Sequence, residues 1–275
     1  MKEIIEITSA QNTRIKFLVK LRDRRTREAE KKMLVEGYRE VTRALECGMK
    51  FTEFYYSESF FLGQNEPALI QKIGQSGAEM FSVSQSVFPK ICYRDRPEGL
   101  LGVLPFFDTS LQNFKLIEKP NPLYLVVESI EKPGNLGTML RTADAVGVSG
   151  LIICNRCTDV FNPNVLRAST GTIFSVPLAE ATTEEAIDWL RMNNVKTIAA
   201  DPYAKTVYYK QNFNGPIAIV LGAEQFGLSE QWKNKSDYLV SIPMNGLADS
   251  LNVAQAGTIL LFEVKRQIDL SLEKN

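Results

Sequence analysis

The chain is 275 residues long, with 44% hydrophobic and 23% charged residues, a composition that suits a globular protein of one or two domains with apolar material for a sizeable core. Lysine plus arginine equals aspartate plus glutamate at 32 each, so net charge does not speak for or against a polyanionic partner and only local clusters can. Histidine is absent, which excludes Ser-His-Asp and Cys-His hydrolase designs, histidine-held zinc and any histidine acid or base.

The N-terminus, Met1 to Ser9, has no long apolar stretch ahead of a small-residue cleavage site, and no run nears the roughly 18 apolar residues of a membrane span. Cysteine is sparse, at Cys47, Cys92, Cys154 and Cys157. The expectation is a cytoplasmic protein with reduced thiols and no membrane partner.

Residues 11–32, QNTRIKFLVKLRDRRTREAEKK, read as one helix with nine basic residues against three acids and a short apolar stripe at Ile15, Leu18, Val19 and Leu21. Such a run is either a solvated helix face or a surface for anions such as RNA phosphates, and charge alone leaves both readings open. MLVEGYREVTRALECG (33–48) starts apolar, turns at Glu36-Gly37 and takes helical spacing up to Gly48. FTEFYYS (51–57) is strand-like, ALIQKIGQSG (68–77) a helix and turn, and GLLGVLPFF (99–107) a buried strand. This alternation predicts a small α/β domain over residues 1–107. The polar, proline-containing stretch 108–122 reads as a linker.

In the second half, LYLVVESI (123–130), GLIIC (150–154), TIFSVPL (172–178), VKTIAAD (195–201), PIAIVLG (216–222) and YLVSIPM (238–244) read as strands. Helices are predicted at 135–148, around 163–169, at 183–194 and at 251–267. Near-continuous apolar strands alternating with helices predict a parallel sheet covered on both faces, over residues 123–275.

Open parallel sheets bind ligands outside the carboxyl ends of their strands. Three strand ends break abruptly into Gly, Asn and Ser: EKPGNLGTMLR after Ile130, GAEQFGLSEQW after Leu221 and PMNGLADSLN after Ile242. Each alone reads as a βα turn with a helix cap; three on one edge predict a polar pocket. The G-x-G-x-x-G and G-x-x-x-x-G-K-[ST] nucleotide signatures are both missing. CNRC (154–157) has no second cysteine pair, so a buried thiol beside a loop neighbour is favoured over a metal or redox site, and no metal is expected.

EKPGNLGTMLRTADAVGVSGLII, IVLGAEQFGLSEQW and IPMNGLADSLNVAQAGTILLFEVKR resemble, in order, spacing and position, the three motifs of the SpoU/TrmH family of RNA ribose 2′-O-methyltransferases in the SPOUT superfamily. LVEGYREVTRALECG resembles the ribosomal-protein-like substrate-binding domain that precedes many of them. The resemblance implies an α/β protein with a small N-terminal RNA-binding domain and a C-terminal parallel-sheet domain tied in a trefoil knot, a topology otherwise nearly absent from proteins. It also implies S-adenosylmethionine as cofactor, a homodimer, and RNA as substrate, with ribosomal RNA favoured and transfer RNA possible.

The same resemblance places Asn135, Arg141, Glu224, Ser250 and Asn252 in the catalytic set. Leu221, Gly222, Ile242, Met244 and Leu251 fall at the cofactor, held mainly through backbone groups, with Gly222 permitting close approach. Arg14, Arg22, Arg24, Arg25, Arg27 and Arg167 are the RNA-binding candidates. Arginine stays protonated in proteins, so the safer role for Arg141 is a bidentate clamp on a neighbouring phosphate, in either its own or the opposite subunit, with Glu224 orienting Arg141 or Asn135. An RNA-binding or ribosome assembly factor that kept the fold without catalysis is the alternative.

Overall fold

The computed structural model describes residues 4–117 and 119–272. The chain forms two compact units, Met1–Phe107 with Asp159–Ser175, and Asp108–Thr158 with Val176–Asn275.

The first unit runs β1 (Ile5–Ile7), α1 (Thr13–Lys20), α2 (Arg24–Glu30), β2 (Lys32–Glu36), α3 (Tyr38–Glu46), β3 (Glu53–Tyr56), α4 (Glu66–Gln75), β4 (Glu79–Val83), α5 (Phe88–Ile91) and β5 (Leu100–Pro105). Its sheet has the order β1-β4-β3-β5-β2, with β5 antiparallel to both neighbours. The core beneath it holds Ile15, Leu18, Leu21, Tyr55, Phe81 and Phe88, and the Tyr55 and Phe81 rings stack at 4.6 Å.

The single helix expected over 11–32 is two. Asp23 caps α2, accepting from the Arg25 N–H at 2.9 Å, and Lys31 ends α2 in the left-handed conformation, so Lys32 opens a strand. A side chain that serves as an N-cap favours a break over continuation. The break also turns Arg27 inward. It is 1% exposed, and its Nε donates to Asp159 Oδ2 at 3.1 Å while Nη1 donates to the Leu21 carbonyl at 3.0 Å. Arg27 therefore corrects the reading of this stretch as one basic face. Removing one partner of a buried ion pair strands the other, so R27A should cost about 3 kcal/mol or more in urea unfolding.

Asp159–Ser175, expected in the C-terminal domain, joins the first unit through contacts distant in sequence. Phe161 stacks on Phe106 at 3.9 Å, and the Arg43 guanidinium donates to the Thr170 carbonyl at 2.6 Å. The segment contains α7 (Pro163–Ser169), capped by Asn162. The strand read over 172–178 begins only at Leu178: Thr172–Phe174 is a 3-10 turn, and the Thr172 and Ser175 hydroxyls donate to the carbonyls of Ser169 and Thr172. These local bonds compete with a ladder.

The second unit runs β6 (Leu123–Glu128), α6 (Pro133–Val146), β7 (Gly150–Cys154), β8 (Leu178–Ala181), α8 (Thr183–Met192), β9 (Lys196–Ala200), β10 (Ile217–Leu221), α9 (Glu230–Lys235), β11 (Tyr238–Val240) and α10 (Val253–Leu272). All its strands are parallel, in the order β11-β9-β10-β6-β7-β8, and β6, β7 and β10 are buried along their whole length. The stretch read as a linker belongs to this unit: Leu111 and Phe114 enter its core beside Tyr124, and Gly150 is needed because a Cβ there would lie 2.2 Å from the Phe114 ring. Gly147 closes α6 in the left-handed conformation. Thr182 and Glu185 open α8 with a reciprocal capping box. The last helix packs on α6 and β10, where the Thr142 and Thr258 hydroxyls bond at 3.0 Å. Among the described residues no helix is long and apolar enough to cross a membrane.

Candidate active site

Because the second sheet is wholly parallel, β6, β10 and β11 deliver their following loops to one rim. The loop after β6 turns at Ser129, which has a φ of 52°, and enters α6 through Pro133 with no side-chain cap of its own. The cap comes from the loop after β10. Glu224 accepts from the Glu131 N–H at 3.0 Å, the Lys132 N–H at 3.1 Å and the Asn135 side-chain amide at 2.9 Å. A carboxylate at a helix N-terminus meets both unsatisfied donors and the favourable end of the helix dipole. Partial burial opposes ionisation of Glu224, but the Glu131, Asn135 and Lys132 donors outweigh it and hold its carboxyl below the ordinary glutamate range.

Asn252 supplies the third loop. Its Oδ1 accepts from the Ala254 N–H at 3.0 Å and so caps α10, while its Nδ2 donates to Asn135 Oδ1 at 3.1 Å. The chain Asn252–Asn135–Glu224 thus links the loops after β11, β6 and β10. Arg141 and Ser250 are exposed, and their side chains make no hydrogen bond or ion pair among the described residues.

The cofactor candidates share a backbone property. Gly222 is buried, Ile242, Met244 and Leu251 are half-buried, and none of their four N–H groups donates a hydrogen bond within the described residues. Buried N–H groups are almost always paired, so this rim has donors left for a ligand that presents acceptors, as the purine, ribose and carboxylate of S-adenosylmethionine do. Leu221 is buried and its methyl packs against Gly257. The close approach at Gly222 is made by the chain itself: a Cβ would lie 2.1 Å from the carbonyl carbon of Gly227 and 2.3 Å from the Leu228 nitrogen. Ala223 and Gly227 exchange backbone bonds of 2.9 and 3.0 Å, which closes the tight turn pressed onto Gly222. Backbone cannot swing aside as a side chain can, so G222A should lower stability by about 2–3 kcal/mol in chemical denaturation and weaken cofactor binding with it.

In the first unit the basic candidates divide. Arg14 is held by Glu53 at 3.3 Å and Glu79 at 3.1 Å, Arg22 donates to the carbonyls of Lys90 and Cys92, and Arg24 pairs with Glu28 at 2.9 Å. Arg27 is interior, as described. The side chains of Arg25 and Arg167 are exposed and make no hydrogen bond or ion pair among the described residues. None of the four cysteines is in a disulfide; Cys154 is buried, which pushes its pKa up, and Cys157 is exposed. Among the described residues no three His, Cys, Asp or Glu side chains gather as a metal site.

Glu128 escaped the sequence reading. It is 3% exposed at the end of β6 and takes the Ser229 N–H at 2.9 Å. Its signal was a lone charge closing an apolar strand run.

Comparison with known proteins shows the family. Residues 122–262 match the SpoU rRNA Methylase family, and residues 12–102 match the MRM3-like substrate binding domain. A tRNA/rRNA methyltransferase of Synechocystis sp. is 30% identical over 96% of this chain and 95% of its own. A 23S rRNA (uridine(2479)-2′-O)-methyltransferase of Streptomyces viridochromogenes is 29% identical over 90% of this chain and 86% of its own. The crystal structure of an AdoMet-bound rRNA methyltransferase from Sinorhizobium meliloti superposes with a TM-score of 0.88 at 30% identity, covering 96% of this chain and 98% of that one. A match across half the chain, with relatives aligned along nearly all of it, places this protein in the SpoU rRNA methylase family.

Proposed function

We infer that the protein transfers a methyl group from S-adenosylmethionine to a ribose 2′-hydroxyl of RNA, with ribosomal RNA the favoured substrate and transfer RNA the alternative. The observation that carries this reading is the Asn252–Asn135–Glu224 chain, which joins three strand-end loops beside the unspent N–H groups of Gly222, Ile242, Met244 and Leu251. When bound, S-adenosylmethionine supplies a methyl group already electrophilic through its sulfonium, so the protein has to provide alignment and a place for the 2′-hydroxyl proton. Alignment alone supplies up to roughly 7–11 kcal/mol in favourable cases. Backbone donors at Gly222, Ile242, Met244 and Leu251 hold the cofactor, and Asn135 and Asn252 fix the loops around it. Ser250 stands exposed at the mouth and orients the ribose.

Arg141 lies six residues beyond Asn135 on the exposed stripe of α6 that also carries Thr138 and Ala145. Six residues are about 9 Å of helix rise, so its backbone is displaced along the axis from that of Asn135. That displacement supports a homodimer in which Arg141 serves the partner's site, clamping the phosphate next to the target ribose. The phosphate is then the proton acceptor, and Arg141 stays charged throughout. The reading also carries the trefoil knot, with the last helix threaded through an earlier loop, and a cytoplasmic location. Arg25 and Arg167, free of partners, are the phosphate contacts of choice in the first unit.

Two measurements test the function. Calorimetric titration with S-adenosylmethionine should give one saturable site, and absence of binding favours a non-catalytic assembly factor. Ribose-methylation mapping of total RNA from a deletion strain should show one or a few lost 2′-O-methyl marks; an unchanged map under conditions of expression contradicts the assignment.

A further inference from the structure

Glu128 closes β6, an otherwise apolar strand, and is 3% exposed. No cation pairs with it among the described residues. Two neutral donors hold it instead: the Thr183 hydroxyl donates to Oε1 at 2.6 Å and the Ser229 backbone N–H donates to Oε2 at 2.9 Å. A buried carboxylate without a counter-ion is costly and depends on each of its hydrogen bonds.

The two ends of this bridge differ. Thr183 is fixed, since it starts α8 and Asn155 grips it twice, donating to its hydroxyl at 2.9 Å and accepting from its N–H at 3.3 Å. Ser229 caps the short helix α9 and ends the loop that carries Glu224. That loop is pinned at its start by the contact of Gly222 with Gly227 and Leu228, and in its middle by the three donors on Glu224. Glu128 is the pin at its far end. Leu228 and Trp232, on either side of Ser229, are buried in the core and keep α9 on the sheet, so loss of Glu128 frees the Ser229 backbone to shift and, with it, the position of Glu224 at the α6 N-terminus.

We propose that Glu128 is a positioning residue for methyl transfer: by holding the Ser229 N–H it keeps the 222–229 loop, and through Glu224 the Asn135 amide, in the arrangement that receives S-adenosylmethionine. The proposal rests on the methyltransferase reading above. It also explains why an acid ends a strand that could have closed on another aliphatic residue.

The backbone bond can be deleted selectively. Ser229 has a φ of −64°, a value proline adopts, so S229P removes the N–H that Glu128 accepts together with the Oγ cap, whereas S229A removes the cap alone. Steady-state methylation of total RNA from the deletion strain, with S-adenosylmethionine varied, should show KM for S-adenosylmethionine raised about tenfold or more in S229P relative to S229A, the worth of one hydrogen bond to a charged group. E128A should match S229P. A merely structural role would lower the melting temperature and the active fraction but leave KM of the folded fraction unchanged. Should S229P not fold, the near-isosteric E128Q decides in its place: it keeps an oxygen for Ser229 but sets an N–H against the Thr183 hydroxyl, and its KM should rise about threefold. Unchanged KM in the folded variants overturns the role of Glu128. A wild-type protein that binds no S-adenosylmethionine overturns the methyltransferase reading instead.

Discussion

Replacing Arg141 by alanine is expected to lower kcat about a thousandfold or more, while the dissociation constant for S-adenosylmethionine stays within about threefold. The magnitude is that of removing paired donors from a developing negative charge, where each contributes about 10²–10³ in rate. The selectivity follows from where Arg141 stands. It is exposed on α6 and bonds to no described residue, so its loss leaves no buried group unpaired and leaves the loops intact. R141K should also fail, since an ammonium is not a planar two-donor fork. Mixing R141A with a subunit disabled at Asn135 separates the two geometries. Recovery of part of the activity in the mixed dimer means the arginine acts across subunits; R141A turning over RNA near the wild-type rate removes the clamp altogether.

Glu224→Ala should cut kcat/KM for S-adenosylmethionine by about 10²–10³. The carboxylate takes three donors from the start of α6, and each donor left without its acceptor costs about 1–3 kcal/mol, less where water can reach it. Unlike Arg141, Glu224 holds the pocket together, so here KM and the melting temperature move along with kcat. Its titration gives a second signature. Because the folded carboxyl lies below the ordinary glutamate range, its stabilising contribution is complete above that range and is lost as pH falls through the lowered value. Wild-type stability should therefore decline on acidification below the ordinary glutamate range with a component that E224Q lacks. Parallel pH–stability curves for the two proteins would show that Glu224 is not the α6 cap.

The elements that local chemistry dictates were readable. PIAIVLG could only be a buried strand, and β10 is one, fully enclosed over Ile217–Leu221. Gly147 stops α6, and the helix read over 183–194 forms as α8 behind a capping box of Thr182 and Glu185. What composition concealed was direction. Arg27 counts as a positive charge in the sequence, yet the break at Asp23 turns it inside, onto Asp159, 132 residues away. The strand read at 172–178 starts only at Leu178, after hydroxyls bonding locally at Thr172 and Ser175. At the site, the family resemblance pointed to Asn135, Glu224 and Asn252, but nothing local reveals that Glu224 caps a helix 92 residues earlier in the chain. Glu128 and Ser229 are 101 residues apart, and their bond exists only because β6 and β10 are ladder neighbours. The motifs themselves carried the family; pairwise long-range bonds carried the way the site is held.

The most direct test of the central claim is chemical identification of the product. Purified protein incubated with methyl-labelled S-adenosylmethionine and total RNA from the deletion strain should yield, after digestion and mass spectrometry, a 2′-O-methylated nucleoside whose 3′ phosphodiester resists alkali. Label on a base, or no transfer from a protein that binds the cofactor, would contradict a ribose methyltransferase built on these three loops.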